Sequence, residues 1–324
     1  MRVVDIIDAH GNLAIRERPT PSPGPEELLI QVAAAGINRP DLLQRKGLYP
    51  PPSGAPDILG LEVSGTVVAL GRDVKGFSIG DAVCALLPGG GYAEYAVAHE
   101  GSCLLKPKNL SLLEAATLPE VFFTVWLTLH DLARIQVGER LLIHGGAGGI
   151  GLAAIQIGHL LGCKVFATAG SDEKCQFLET LGAISHPYPL EDFSQWLKPE
   201  AEDPGVDVIL DIVGGRYLSR HIDLLNPGGR LLLIGLLGGG EATLNLTEVL
   251  KKHLTLQGST LRNRSLSQKT AIRDALLERI WPEIEAGRIK TFVDSVFPLE
   301  AATEAHQRMK SSLHIGKMVL EVRP

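Results

Sequence analysis

The stretch Arg140-Leu-Leu-Ile-His-Gly-Gly-Ala-Gly-Gly-Ile-Gly151 decides the fold. A short apolar strand runs into the spacing G-x-G-x-x-G, carried by Gly146, Gly148 and Gly151, and a helical pattern over 149–161 follows. In this reading Gly146 permits the tight turn, Gly148 lets a pyrophosphate approach the backbone, and Gly151 allows close helix packing. Phosphate charge then meets the N-terminus of the helix. Gly146, Ala147, Gly148, Gly149, Ile150 and Gly151 are therefore candidate dinucleotide-binding residues. The alternative is a plain glycine-rich turn, and the strand before it and helix after it favour the ligand.

Outward from this turn, apolar strands and helices alternate. A helix over 120–133 leads in; strands over 164–169, 206–211, 229–235 and 254–259 follow, separated by helices over 172–181 and 216–225. Apolar strands alternating with helices imply a parallel sheet covered on both faces, the doubly wound α/β architecture. Residues 1–118 read differently. Short β-type runs such as Leu28-Leu-Ile-Gln-Val and Asp81-Ala-Val-Cys-Ala-Leu alternate with Gly and Pro punctuation, which predicts a mostly antiparallel β domain. After a helix over 267–285 come a strand over 291–298, a short helix over 299–310 and a closing strand from Gly316. That last strand has no helix after it and is assigned back to the first domain. The expected domains are thus 1–118 with 288–324, and 119–287, with the active site in the cleft between them.

A chain of 324 residues exceeds the size at which one core stops growing, which agrees with two domains. The formal net charge of −6 provides no basic field for a phosphate backbone, so nucleic acid is not an expected partner. Acidic residues in Met1-Arg-Val-Val-Asp-Ile-Ile-Asp occupy the place of a signal-peptide apolar region, and no apolar run approaches roughly 20 residues. A soluble, cytoplasmic protein without a membrane partner is expected. Cys84, Cys103, Cys163 and Cys175 form no C-x-x-C pair and read as buried apolar side chains. His10, His99 and His130 are isolated and read as surface or satisfied histidines.

At the tip of the second cofactor-domain strand, an NAD site usually places Asp or Glu to bond the ribose hydroxyls. Here the tip reads Ala169-Gly170-Ser171, with Lys174 one turn later. A hydroxyl and an ammonium can hold a 2′-phosphate that a carboxylate would repel, which points to NADPH. Ser171 also suits an N-cap, and the two roles can coexist.

Several further stretches, Gly36-Ile-Asn-Arg-Pro-Asp, Tyr49-Pro-Pro-Pro, Ile58-Leu-Gly-Leu-Glu-Val-Ser-Gly, Leu87-Pro-Gly-Gly-Gly-Tyr-Ala-Glu-Tyr, Leu118-Pro-Glu, Gly170-Ser-Asp-Glu-Lys and Ile315-Gly-Lys-Met-Val-Leu, run nearly the whole chain in order. With them the sequence resembles the medium-chain dehydrogenase/reductase superfamily. Within it the resemblance is to the zinc-free quinone oxidoreductase branch, closest to the tumour-suppressor-inducible quinone reductase subgroup. The resemblance implies a GroES-like first domain, a Rossmann second domain, NADPH as cofactor and a homodimer formed through the cofactor domains. It implies Asn38 and Thr124 near the nicotinamide, Ser171, Lys174 and Tyr188 around the 2′-phosphoribose, and Val213 and Leu236 along the ribose and nicotinamide. In place of the subgroup's mostly uncharged or basic residues, Asp172 and Glu173 stand between Ser171 and Lys174, and Tyr188 is one residue closer to Gly182 than in the subgroup.

The superfamily's alcohol dehydrogenases ligate catalytic zinc with a Cys and a Gly-His-Glu motif. Here those positions hold Asn38 and Gly60-Leu61-Glu62, so no metal is expected. Without a Lewis acid, a developing alkoxide is poorly stabilised, whereas the anion of a reduced quinone is delocalised. The expected reaction is hydride transfer to a quinone or similar conjugated carbonyl compound. Asn38 is expected to orient the substrate carbonyl and Tyr49 to hydrogen-bond or protonate it; Tyr49 can instead be an aromatic that closes the cleft. An enone or 2-alkenal reductase of the same fold and a non-catalytic NADPH-binding protein are the alternatives.

Overall fold

The computed structural model describes residues 1–187, 196–197 and 205–322. The chain forms two units, Met1–Phe123 with Arg262–Pro324, and Thr124–Leu261. These boundaries correct the expected ones at the C-terminal side, where the helix over 267–285 was placed in the cofactor domain. It belongs to the first unit because side chains on it bond that unit's backbone. Trp281 Nε1 donates to the Leu105 carbonyl at 2.8 Å, and Arg273 Nη1 donates to that of Glu100 at 3.0 Å. Asn109 Nδ2 reaches the Ile284 carbonyl at 2.8 Å. The helix is also two pieces, Leu266–Arg279 and Trp281–Glu285, with Pro282 at the start of the second.

The first unit is built on a seven-stranded sheet. In order it runs Val293–Pro298, Lys317–Glu321, Glu27–Gly36, Glu62–Leu70, Ala82–Leu86 and Cys103–Leu105, with Tyr95–His99 also pairing with Glu27–Gly36. Strand Glu27–Gly36 buries Leu28, Ile30, Val32 and Ala34 and leaves the residues between them partly exposed, the period-two pattern of a sheet with one face on a core. The closing strand Lys317–Glu321 pairs antiparallel with Glu27–Gly36 and parallel with Val293–Pro298. This sheet is therefore mixed. A separate hairpin, Arg2–Ile6 with Leu13–Glu17, adds Val3 and Val4 to the core.

The second unit carries a six-stranded, all-parallel sheet in the order Ile184–Pro187, Lys164–Ala169, Arg140–His144, Val206–Asp211, Leu225–Leu233, Thr255–Gly258. All five residues of Arg140–His144 are buried, as a central strand covered on both faces requires. The order reverses between Arg140–His144 and Val206–Asp211. In an open α/β sheet such a switch point opens the crevice at the carboxyl ends of the strands where ligands bind.

The helical stretch Leu112–Leu132 corrects the expectation that no apolar run nears membrane-spanning length. By length and composition it qualifies, with a mean hydropathy of 1.4, yet 72% of its most apolar window is buried inside the protein, as in a core helix.

Candidate functional site

In the second unit the glycine turn joins Arg140–His144 to the helix Gly149–Leu160. The roles of its glycines are redistributed relative to the sequence reading. The left-handed conformation falls on Gly145, at φ 71°, rather than on Gly146. Gly146 is needed for space instead, since a Cβ there would lie 2.5 Å from Leu178 Cδ1 and 3.0 Å from Ala167 Cβ. Gly151 is packed as expected: its Cβ would sit 2.5 Å from both the Gly145 carbonyl oxygen and Gly146 Cα. At Gly148 the nearest atom to an added Cβ is 3.7 Å away, which leaves the backbone open. Gly148 is also the helix N-cap, with no side-chain cap and no acidic residue in the first turn. Free amides at a helix N-terminus and an open backbone fit a pyrophosphate.

At the second strand's tip, Ser171 caps the helix Asp172–Glu179, its Oγ accepting from Lys174 N at 3.3 Å. The cap occupies a lone pair and leaves the hydroxyl proton to donate, so capping and phosphate binding are compatible. Asp172 and Glu173 are exposed on the helix's first turn. Tyr188 lies outside the described residues.

Val213 and Leu236 are brought together by two glycine-rich loops. Gly238 N donates to the Val213 carbonyl at 2.7 Å, and Leu237 N to that of Ile212 at 3.0 Å. Gly214, at φ 63°, has Leu236 Cδ2 where its Cβ would be, 2.7 Å away. Val213 is buried, whereas Leu236 is 57% exposed, an apolar side chain at the carboxyl end of the sheet. Thr124 lies half-buried on Pro119–Val125, where its carbonyl accepts from Thr128 Oγ1 at 2.8 Å.

In the first unit, Asn38 is not the free amide the sequence suggested. It is buried, with Oδ1 accepting from Lys317 Nζ at 2.6 Å and Nδ2 donating to Glu62 Oε1 at 2.9 Å. The same ammonium lies 2.6 Å from Glu62 Oε1 and donates to the Ile37 carbonyl at 2.7 Å. Glu62 Oε2 accepts from Glu120 N at 2.9 Å. Gly36 makes room, since a Cβ there would lie 2.2 Å from Glu62 Oε1. Asn38 is therefore a brace within a buried ionic cluster. Its correction follows from chemistry: an amide between an ammonium and a carboxylate must turn its oxygen to one and its nitrogen to the other.

Asp41 extends the cluster, accepting from Asn38 N at 2.7 Å, Gly60 N at 3.2 Å and the Tyr92 hydroxyl at 3.0 Å. Burial raises its carboxyl to about 6, against the lowering by those donors. Glu120, half-buried, is pushed up to about 8 by burial and then by the neighbouring Glu62. Leu61, standing where the zinc enzymes have His, is buried.

Tyr49 is half-buried beside Arg262, whose guanidinium carbon lies 5.5 Å from the ring centroid. Burial, and then the Glu120 charge, hold its phenol above the ordinary range. Arg262 Nε donates to the Pro88 carbonyl at 2.7 Å, Lys269 Nζ donates to the Arg262 carbonyl at 2.8 Å, and Arg262 Nη2 is buried without a hydrogen-bond partner among the described residues. The sequence reading missed both Lys317 and Arg262. Lys317 sat in view in Gly316-Lys-Met-Val-Leu, but nothing local marks a strand lysine as buried.

Among the described residues, no group of three or more His, Cys, Asp or Glu side chains is placed to hold a metal ion.

Residues 24–108 match the alcohol dehydrogenase GroES-like domain family, and residues 149–277 the zinc-binding dehydrogenase family. The quinone oxidoreductase of Rattus norvegicus is 33% identical over 306 residues, covering 93% of this chain and 90% of the relative. Among solved structures, the CurK enoyl reductase superposes with a TM-score of 0.87 at 30% identity, with 99% of each chain covered. The Escherichia coli quinone oxidoreductase complexed with NADPH also gives 0.87, at 28% identity and 99% coverage of each.

Proposed function

The chain belongs to the medium-chain dehydrogenase/reductase superfamily, and from that premise we propose that it is an NADPH-dependent, zinc-free oxidoreductase that reduces a quinone or similar conjugated carbonyl compound. The observation that carries the reading is the Lys317 ammonium held by Asn38 Oδ1, Glu62 Oε1 and the Ile37 carbonyl. Both side chains at the positions where the zinc enzymes use Cys and Glu are committed to an internal cation, and the third position is Leu61. That donor set does not fit zinc, which takes three thiolate, imidazole or carboxylate ligands in a catalytic site. A substrate must then carry its own means of spreading negative charge, as a quinone does.

When bound, the nicotinamide supplies the hydride. The open turn at Gly148 and the uncapped helix behind it hold the pyrophosphate, while Ser171 and Lys174 hold the 2′-phosphate. The loops bearing Val213 and Leu236 present apolar surface to the nicotinamide half. In the first unit, the Tyr49 phenol stays protonated at neutral pH and donates to the substrate oxygen as it gains charge. Arg262 beside it adds positive potential. Asn38 acts through its amide as a brace between Lys317 and Glu62 rather than by contacting the substrate. A second copy of the chain pairing along the edge strand Thr255–Gly258 would give the homodimer, since an open edge is an aggregation hazard until covered. The proposed location is the cytoplasm.

The likeness to an enoyl reductase supports a second reading, reduction of an enone or 2-alkenal, because hydride addition to a conjugated C=C needs no metal either. Initial rates of NADPH oxidation with an ortho-quinone and with a 2-alkenal decide between them. A kcat/KM at least tenfold higher for the quinone supports the first reading, the reverse ratio supports the second, and turnover of neither rejects both.

A further inference from the structure

Beneath the cofactor loops of the second unit, four polar side chains form a continuous buried line. His144 Nδ1 hydrogen-bonds with Thr168 Oγ1 at 2.9 Å and His144 Nε2 with His221 Nε2 at 2.8 Å, while His221 Nδ1 faces Asp211 Oδ2 at 3.3 Å, an ion-pair distance without hydrogen-bond geometry. All four residues are at most 1% exposed. Tyr217 stacks on both imidazoles, with centroids 5.9 and 6.2 Å away.

The two ends of the line are tied to the two loops already described. Thr168 accepts at its carbonyl from Gly146 N at 2.8 Å, inside the glycine turn. Asp211 accepts from Val213 N at 2.7 Å and from Gly214 N at 3.1 Å, which sets the loop that packs against Gly238 and Leu236. His144 itself is the last residue before the turn.

We propose that Thr168, His144, His221 and Asp211 form a polar brace of fixed tautomers and direction, hydrogen-bonded from Thr168 to His221 and completed by the electrostatic contact of His221 with Asp211, that locks the glycine turn to the Val213 loop. His221 is thereby a positioning residue for the cofactor. The direction follows from the donors available. Burial raises the Asp211 carboxyl to about 6 against the lowering by the amide hydrogens on its oxygens, so at neutral pH it is a carboxylate, and its charge 3.3 Å away favours the proton on His221 Nδ1. His221 Nε2 is then an acceptor, and His144 must donate Nε2–H to it. His144 Nδ1 is left to accept the Thr168 hydroxyl. A cationic His221 would reverse the His144 tautomer, and the complete burial of both rings opposes that charge. The guanidinium groups near this cluster, Arg216 and Arg220, lie over the Tyr217 ring and add positive potential against it.

The functional half of the inference rests on the nicotinamide cofactor reading; the tautomers do not. Nitrogen-15 NMR of histidine-labelled wild-type protein at neutral pH should show His221 as a neutral Nδ1–H imidazole and His144 as a neutral Nε2–H imidazole. A cationic ring, or an Nδ1–H form at His144, overturns the brace. His221→Phe keeps the ring volume and removes both the Nδ1–H facing Asp211 and the Nε2 acceptor for His144, and should raise the Kd for NADPH on the order of tenfold, the scale of one buried hydrogen bond. Affinity should fall more than kcat. His221→Asn places an amide N–H near the lost Nδ1–H and should recover most of the affinity; an Asn variant as weak as the Phe variant counts against positioning. Wild-type protein that binds no nicotinamide nucleotide rejects the cofactor reading, whereas normal wild-type binding with unchanged affinity in His221→Phe rejects this inference alone.

Discussion

Lys317 Nζ sits 2.6 Å from Glu62 Oε1, joining the first residue of the closing strand Lys317–Glu321 to the first residue of the strand Glu62–Leu70, with both side chains almost wholly withdrawn from solvent. A pair like this adds little over an apolar substitute, but breaking it strands one buried charge. Lys317→Met should therefore cost about 3–5 kcal/mol in chemical denaturation. The double variant Lys317→Met with Glu62→Gln should lose less than the single one, because no carboxylate is left unpaired. A double variant weaker by the full sum of the two single losses would mean that the residues do not interact.

The same ammonium bears on metal content. Asn38 Oδ1 and Glu62 Oε1 are spent on it, so exhaustive chelation should leave turnover unchanged, and elemental analysis should find no stoichiometric zinc. One zinc per chain, with activity lost on its removal, would overturn the zinc-free proposal.

Lys174 follows the Ser171 cap by one turn, on a helix whose start lies at the carboxyl end of the parallel sheet. Lys174→Ala should weaken NADPH far more than NADH, by on the order of 1–3 kcal/mol for a charge-assisted contact to the extra phosphate. Titration of both nucleotides checks this; equal losses would place Lys174 away from the 2′-position.

What was legible in the sequence and what was not divides along contact range. Five strands of the parallel sheet could be read because each announces itself within a dozen residues, and the glycine turn because its spacing is local; the sixth, the short edge strand Ile184–Pro187, has only one apolar aliphatic residue and is not among the expected strands. Which glycine takes the left-handed backbone was not legible, since Gly145 and Gly146 are adjacent and only the packing of Leu178 against Gly146 separates their roles. The helix expected over 267–285 reads as part of the cofactor domain because its anchors, Leu105 and Glu100, lie more than 170 residues away. The Asn38 amide was misread for the same reason. Its oxygen is held by a lysine 279 residues later in the chain. His144 and His221, 77 residues apart, carry no motif that would pair them.

His306 gives a pH dependence with a definite sign. Burial holds its imidazole down to about 3, with Arg45 adding to the depression, and its Nε2 lies 3.1 Å from the Tyr92 hydroxyl. A base with a depressed folded pKa stabilises the fold above its unfolded value near 6.5 and loses that contribution as pH falls toward 3. The loss is about 1.4 kcal/mol per pH unit for each such histidine, or about 2 kcal/mol between pH 6.5 and pH 5. His144, also lowered to about 3 by burial, adds in the same direction. Thermal midpoints should fall over this window, and His306→Gln, which keeps a donor to Tyr92, should fall less steeply. An unchanged slope would show that His306 takes up its proton in the folded state.

The Tyr49 phenol is held protonated by burial and by the nearby Glu120 charge, while Arg262 beside it pulls the other way. A phenol kept above its ordinary range keeps its proton at neutral pH and so stays available to donate a hydrogen bond, while being a poor acid. If it only donates to the oxygen of a quinone, whose reduced anion is already delocalised, Tyr49→Phe should lower kcat/KM by roughly 10- to 100-fold, the scale of one such bond of about 1.4–2.7 kcal/mol. Asn38→Ala should do comparable damage by a different route, since it leaves Lys317 and Glu62 short of a partner, and should lower stability along with rate. An essential proton donor behaves otherwise. It typically contributes about 100- to 10,000-fold and imposes a limb on the pH–rate profile that vanishes with the hydroxyl. Complete loss of quinone reduction in Tyr49→Phe, with NADPH affinity and fold intact, would make Tyr49 an obligatory acid and refute a mechanism that relies on orientation and hydride alone.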